Sequence, residues 1–173
     1  NGTIQWSQTY PGSYLALGMA QTSDGGYLIT AFTSTLSTET HRKVALIKTD
    51  ASGKMQWSKT FETGHFKVAV QANDGNYVVA GGNRIVKVDT SGNILWDKEL
   101  PPVLPNDPQQ YRYSANDIYS LTKTTDRGYA LAGHAFNKNN SNQETSAAVL
   151  IKTDSAGAIQ WNKTYGADRQ TWI

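Results

Sequence analysis

The chain has 173 residues, no cysteine, and 16 Lys plus Arg against 14 Asp plus Glu, a formal charge of +2. That length suffices for one ordinary core, and the missing cysteines exclude a disulfide framework and any thiolate metal site. The near-balanced charge gives no basic footprint for nucleic acid. No apolar run reaches the roughly 20 residues of a membrane helix, so no membrane insertion is expected.

In chain order, Thr3-Ile4-Gln5-Trp6-Ser7-Gln8-Thr9-Tyr10 is a β-prone phrase with no strand before it. Four predicted strands follow at 14–22, 27–33, 43–49 and 55–61. The first turn is Asp24-Gly25-Gly26-Tyr27, and Asp-Gly between apolar runs signals a hairpin because Gly tolerates positive φ. The last turn is Asp50-Ala51-Ser52-Gly53, followed by Lys54-Met55-Gln56-Trp57-Ser58-Lys59-Thr60-Phe61. An Asp here can bond its own backbone two residues on, with Gly in the left-handed position.

The same markers return twice. A second set of strands is predicted at 66–72, 77–81, 84–89 and 94–100, with Asp74-Gly75-Asn76-Tyr77 in its first turn. Asp89-Thr90-Ser91-Gly92 and Trp96 close that set. A link rich in proline, 101–113, holds four of the five prolines and leads to strands at 116–124, 129–135, 147–153 and 159–165. The third set carries Asp126-Arg127-Gly128-Tyr129, then Asp154-Ser155-Ala156-Gly157 and Trp161. Arg127 stands where Gly is preferred, which predicts a longer or differently shaped turn. Long loops are expected at 33–43 and 134–146, against the two-residue Gly82-Asn83 hairpin of the second set.

No window holds a sustained 3.6-residue apolar period with caps, so essentially no helix is expected. Units of four short strands in series are the blades of a β-propeller. The expected architecture is all-β. Residues 1–13 would give the closing strand of a preceding blade; 14–62, 63–100 and 101–165 three whole blades; and 166–173 the start of another. Three blades with loose ends should not close. The phase of the repeat favours an excerpt of a longer polypeptide, completed by its own further blades or by partner subunits.

The Asp-x-x-Gly-x-x-x-Trp phrase resembles the tryptophan-docking repeat of the propellers similar to pyrroloquinoline-quinone dehydrogenases. With Asp-Gly-Gly-Tyr and Leu-Ile-Lys-Thr-Asp, it also resembles repeats of large exported or surface proteins of archaea and bacteria. The resemblance covers essentially the whole chain and implies a structural role for Trp6, Trp57, Trp96 and Trp161, for Asp50, Asp89 and Asp154, and for Gly53, Gly92 and Gly157. It does not carry the quinone site with it. Those enzymes have more blades and a calcium site, and many carry two adjacent cysteines, whereas this chain has none.

Candidate chemistry is sparse. Asp24, Asp74 and Asp126 occur one per turn, where calcium needs several converging oxygens, so no metal is assigned. His41, His65 and His134 stand singly, and no nucleophile motif occurs, so no catalytic residue and no cofactor is assigned. Asn139, in a polar stretch expected to be a loop, heads the one glycosylation triplet worth watching. Tyr111, Arg112 and Tyr113 after the proline link, with His65 and Phe66 in another inter-blade link, are the candidate partner contacts. The expected function is a non-catalytic binding or scaffolding module of a secreted or cell-surface protein, recognising a protein or glycan through loops. The propeller portion of an exported lyase or hydrolase and a self-assembling surface protein are the alternatives.

Overall fold

A computed structural model of the chain describes residues 2–12, 14–33, 43–62, 65–101, 111–139 and 144–166. Twelve strands form three four-stranded antiparallel sheets, and no helix occurs among the described residues. Blade 1 comprises β1 (Tyr14–Gln21), β2 (Tyr27–Thr33), β3 (Val44–Thr49) and β4 (Met55–Phe61). Blade 2 comprises β5 (Val68–Gln71), β6 (Tyr77–Gly81), β7 (Arg84–Val88) and β8 (Ile94–Glu99). Blade 3 comprises β9 (Tyr111–Lys123), β10 (Tyr129–Asn139), β11 (Glu144–Thr153) and β12 (Ile159–Tyr165). In every blade the strand order in space follows the order in sequence. The three sheets form an open propeller without ring closure.

Local chemistry explains the regularity within a blade. Asp50 Oδ1 accepts the N–H groups of Ser52 and Lys54, both at 2.9 Å. Asp89 and Asp154 repeat this with Ser91 and Asn93, and with Ala156 and Ala158. Gly53, Gly92 and Gly157 then take φ near +80°, a region that a Cβ disfavours. Arg127 corrects the sequence expectation. It adopts φ of 67° and makes the same turn as Gly25 and Gly75, with Arg127 N–H donating to Thr124 O at 3.0 Å. The flanking hydrogen bonds impose the turn on a residue that does not favour it.

Packing between blades supplies the core. Along β6 and β7, Tyr77, Val79, Val86 and Val88 face blade 1, where they meet Leu28, Val44 and Leu46. Their alternating neighbours Val78, Ala80 and Ile85 face blade 3 and meet Tyr129, Leu131 and Ile151. Blade 2 is therefore buried on both faces, with each buried aliphatic side chain contributing about 1.5–3 kcal/mol of transfer free energy. The inner strands β1, β5 and β9 contact one another in turn.

Two boundaries depart from expectation. β9 begins at Tyr111, and β10 and β11 run to Asn139 and from Glu144, so the long loop expected at 134–146 is mostly a hairpin. The first phrase, Thr3–Tyr10, forms no strand, although its tryptophan is placed against blade 1 as described below.

Candidate functional site

Each blade presents a slot to the tryptophan before it. The Trp6 ring lies over Gly53, so close that a Cβ there would be 2.5 Å from the ring, and 5.9 Å from the Tyr27 ring. Trp57 stands in the same way over Gly92 and beside Tyr77, and its Nε1–H donates to Thr90 O at 3.0 Å. Trp96 lies over Gly157 and beside Tyr129. The glycines thus meet two demands at once, positive φ and close approach of an aromatic ring. Trp161 has no slot among the described residues. It is 43% exposed, with Lys163 Nζ 5.9 Å from its ring.

A second repeated device lies inside the blades. Lys48, 2% exposed, donates from Nζ to Asp24 Oδ2 at 2.7 Å, Thr49 O at 2.7 Å and Gln56 Oε1 at 3.2 Å. Lys152 makes the same three bonds to Asp126, Thr153 and Gln160. Lys87 is also buried and bonds Asp74 at 2.7 Å. A buried ammonium is tolerable when its hydrogens are paired. The hydrogen bond from Lys48, with help from the Thr22 hydroxyl, lowers the Asp24 pKa to about 2. Lys152 and Thr124 likewise hold Asp126 far below the ordinary carboxylate range. The sequence displayed both the Asp and the Lys of each pair, but the pairing went unread. Three parallel occurrences were the available signal.

The third feature lies where the inner strands converge. In β1 the register passes from Ala16 paired with Ala31 to Gly18 paired with Thr30, leaving Leu17 as a bulge. In β9 it passes from Ile118 paired with Gly133 to Ser120 paired with Ala132, leaving Tyr119. In β5, Val68 pairs with Ala80 while Lys67 N–H donates to the same residue's carbonyl at 2.8 Å. Counted back from Tyr27, Tyr77 and Tyr129, Leu17, Lys67 and Tyr119 are one position in three blades. Bulges re-aim side chains, and the bulged Leu17 and Tyr119 line a groove of about 350 Å³ with Lys67, Met19, Ser120 and Leu121.

Lys67, which lines that groove, joins blade 2 to blade 3 through Asp117, a residue outside the lining. Lys67 Nζ donates to Asp117 Oδ2 at 2.6 Å and stands 4.3 Å from the centre of the Tyr119 ring. The Tyr119 hydroxyl donates to the same oxygen at 2.8 Å, and Gly82 N–H donates to Asp117 Oδ1 at 3.2 Å. The hydrogen bond to Asp117, with desolvation, raises the Tyr119 pKa, so its phenol stays protonated.

No family model matches the chain, and no curated protein matches it. Among solved structures, the chain is similar to a protein of unknown function from Bacteroides caccae. The two share 13% identity at a TM-score of 0.38, covering 94% of this chain and 86% of that one.

The candidate partner contacts scatter. Phe66 is a correction: it is 2% exposed and packs edge-on to Phe61 in the core between blades 1 and 2, so no partner can reach it. His65 is exposed and meets Phe32 edge-on. Tyr111, Arg112 and Tyr113 belong to the backbone of β9 rather than to a loop, and their side chains lie outside the described residues. Asn139 ends β10 instead of lying in a loop, and its side chain is likewise outside. His41, Trp172 and most of the proline link fall outside as well. Among the described residues no group of three or more His, Asp or Glu converges to hold a metal ion. The groove residues were not among the candidates. Lys67, Asp117 and Tyr119 come together only through the bulges and the packing of two blades.

Proposed function

We propose that this chain is a binding and scaffolding module of propeller blades in which the free face of blade 3 receives a further blade. The further blade comes from the same polypeptide or from a partner subunit. The observation that carries this reading is the contrast among the tryptophans. Trp6, Trp57 and Trp96 each rest on the glycine turn of a following blade, while Trp161 rests on none among the described residues; the contrast lies in the glycine contact and not in exposure, which is 44% for Trp6 and 43% for Trp161. A ring that size gains burial only against a neighbour, and stacked repeats take their stability from such interfaces. The resemblance to tryptophan-docking repeats supports the same reading and favours a role in an exported or surface protein. Recognition of a protein or glycan would then use surfaces that the stacked blades hold rigid.

Extension of the chain tests it. Setting Trp161 on Trp6 aligns Ile173 with Gly18, so residues 19–62 fused after Ile173 continue the repeat in phase. In the unfused chain, Trp57→Ala is expected to cost about 2–4 kcal/mol, whereas Trp161→Ala costs about 0.5 or less. In the fusion, Trp161 fluorescence should shift to the blue and Trp161→Ala should cost as much as Trp57→Ala. A Trp161→Ala cost that stays at about 0.5 kcal/mol or less in the fusion overturns the proposal.

A further inference from the structure

We propose that the groove where β1, β5 and β9 converge binds a neutral saccharide, with Tyr119 as its stacking platform and Lys67, held by Asp117, and Ser120 reading ring hydroxyls. The inference rests on the reading of the chain as a binding module, and it places recognition at the convergence of the inner strands rather than in the loops.

Three observations carry it. The residues that hold the repeat together are the same in each blade: the seated tryptophan, the turn aspartate and glycine, and the internal lysine with its aspartate. The equivalent position on the inner strands, a bulge in blades 1 and 3, instead varies as Leu17, Lys67 and Tyr119. Two positions earlier the chain has Leu15, His65 and Asp117. Blade architecture does not demand a Lys–Asp–Tyr cluster there, because blade 1 does without it.

The groove is also electrically balanced. Lys67 is the charged residue of the lining, and Asp117 behind it neutralises it at 2.6 Å, so an anion would have to compete with an ion pair already made. Hydroxyl groups face no such competition. Lys67 Nζ donates to the one carboxylate oxygen and keeps further N–H donors, and the Ser120 hydroxyl can accept.

Finally, the groove combines open apolar surface with a fixed polar pair. Tyr119, 55% exposed with Lys67 Nζ over one face of its ring, and Met19, 62% exposed, both line the groove beside Lys67. A pyranose presents one face of C–H groups and a rim of hydroxyls, which matches that division. The pair is held before any ligand arrives, since Gly82 N–H fixes Asp117 and Ile118 N–H donates back to Gly82 O at 3.3 Å. Preorganisation of this kind lowers the ordering cost of binding.

The test is an amide NMR titration of the full chain with cellotetraose, maltotetraose, xylotetraose and chitotetraose, and with tetragalacturonate as the charged comparator. At least one neutral tetrasaccharide should shift the amides of Val68, Ala69, Ser120 and Leu121 at up to about 10 mM, where a millimolar Kd registers. Its affinity should change little with added salt. Tyr119→Ala should weaken binding about tenfold or more, and Tyr119→Phe, which keeps the ring and the fold, by about threefold. The proposal is overturned if no neutral sugar moves these amides, if tetragalacturonate alone does, or if Tyr119→Phe binds as weakly as a chain with no groove. It is equally overturned if the same amides move with protein concentration in the absence of sugar, since a second copy would then cover the groove. None of these results bears on Trp161, so failure here leaves the blade-stacking reading standing on its own test.

Discussion

Blades 1 and 3 hold their buried lysines with three acceptors, and blade 2 holds Lys87 with Asp74 alone among the described residues. Two substitutions within the repeat account for the difference. Gly26 and Gly128 leave room for the ammonium to reach the strand carbonyl, since a Cβ on either would lie 2.8 or 2.7 Å from the lysine nitrogen. Blade 2 has Asn76 at that position, and Leu95 where the others have Gln56 and Gln160. The comparison teaches that the Asp–Lys pair is the common minimum of the blade, and the carbonyl and amide acceptors are additions that require the glycine. Among the described residues blade 2 packs on both faces, so its apolar burial offsets the poorer pairing.

The largest expected effect breaks this comparison at the glycine. In Gly26→Ala the new Cβ meets Thr49 O at 2.1 Å, a backbone atom that cannot swing aside. Urea denaturation should show a loss of about 2–4 kcal/mol, against less than about 1 kcal/mol for Asn76→Ala in blade 2.

Next come the lysines. Lys48→Met and Lys152→Met should each cost about 1–3 kcal/mol, because two neutral acceptors and a carboxylate lose their donor. Lys87→Met should cost about 1 kcal/mol or less. Equal losses in all three would show that the extra acceptors add nothing.

The smallest effect is on acid stability. Asp24 is lowered from 3.8 to about 2 by the hydrogen bond from Lys48. A depressed carboxylate stabilises the fold fully above its unfolded value, and that contribution disappears as pH falls through the folded value. Thermal melts should therefore drop between pH 4 and pH 2 in the natural chain. Lys48→Met should flatten that drop more than Lys87→Met does, because burial opposes the lowering at Asp74. Asp24 is half-exposed, so solvent screening keeps the effect modest.

Much of the blade was legible because its signals are local. The Asp-x-x-Gly turn, the Asp-Gly hairpin and the alternation between them place most strands of blades 1 and 2 within a residue or two. The ends of β9, β10 and β11 were not legible, since Asn137, Lys138 and Asn139 have low strand propensity and are strands through pairing with Ser114, Tyr113 and Tyr111. Phe66 looked like an exposed anchor in a link, and the packing of two blades made it core. The Lys–Asp pairs bridge 24, 13 and 26 residues, so reading them required knowing that the third strand runs beside the first turn.

The sequence by itself determined the four-stranded unit and its repetition, because each turn is closed by an Asp and a Gly within a few residues of one another. Which ring rests on which glycine, and that Trp161 rests on none among the described residues, follows from the packing of blades. That tertiary packing alone brought Lys67 to Asp117, 50 residues away on another blade. The reason is physical: turn geometry follows from neighbouring dihedrals, whereas a contact between blades exists only once sheets have packed and bulges have turned its side chains toward one another.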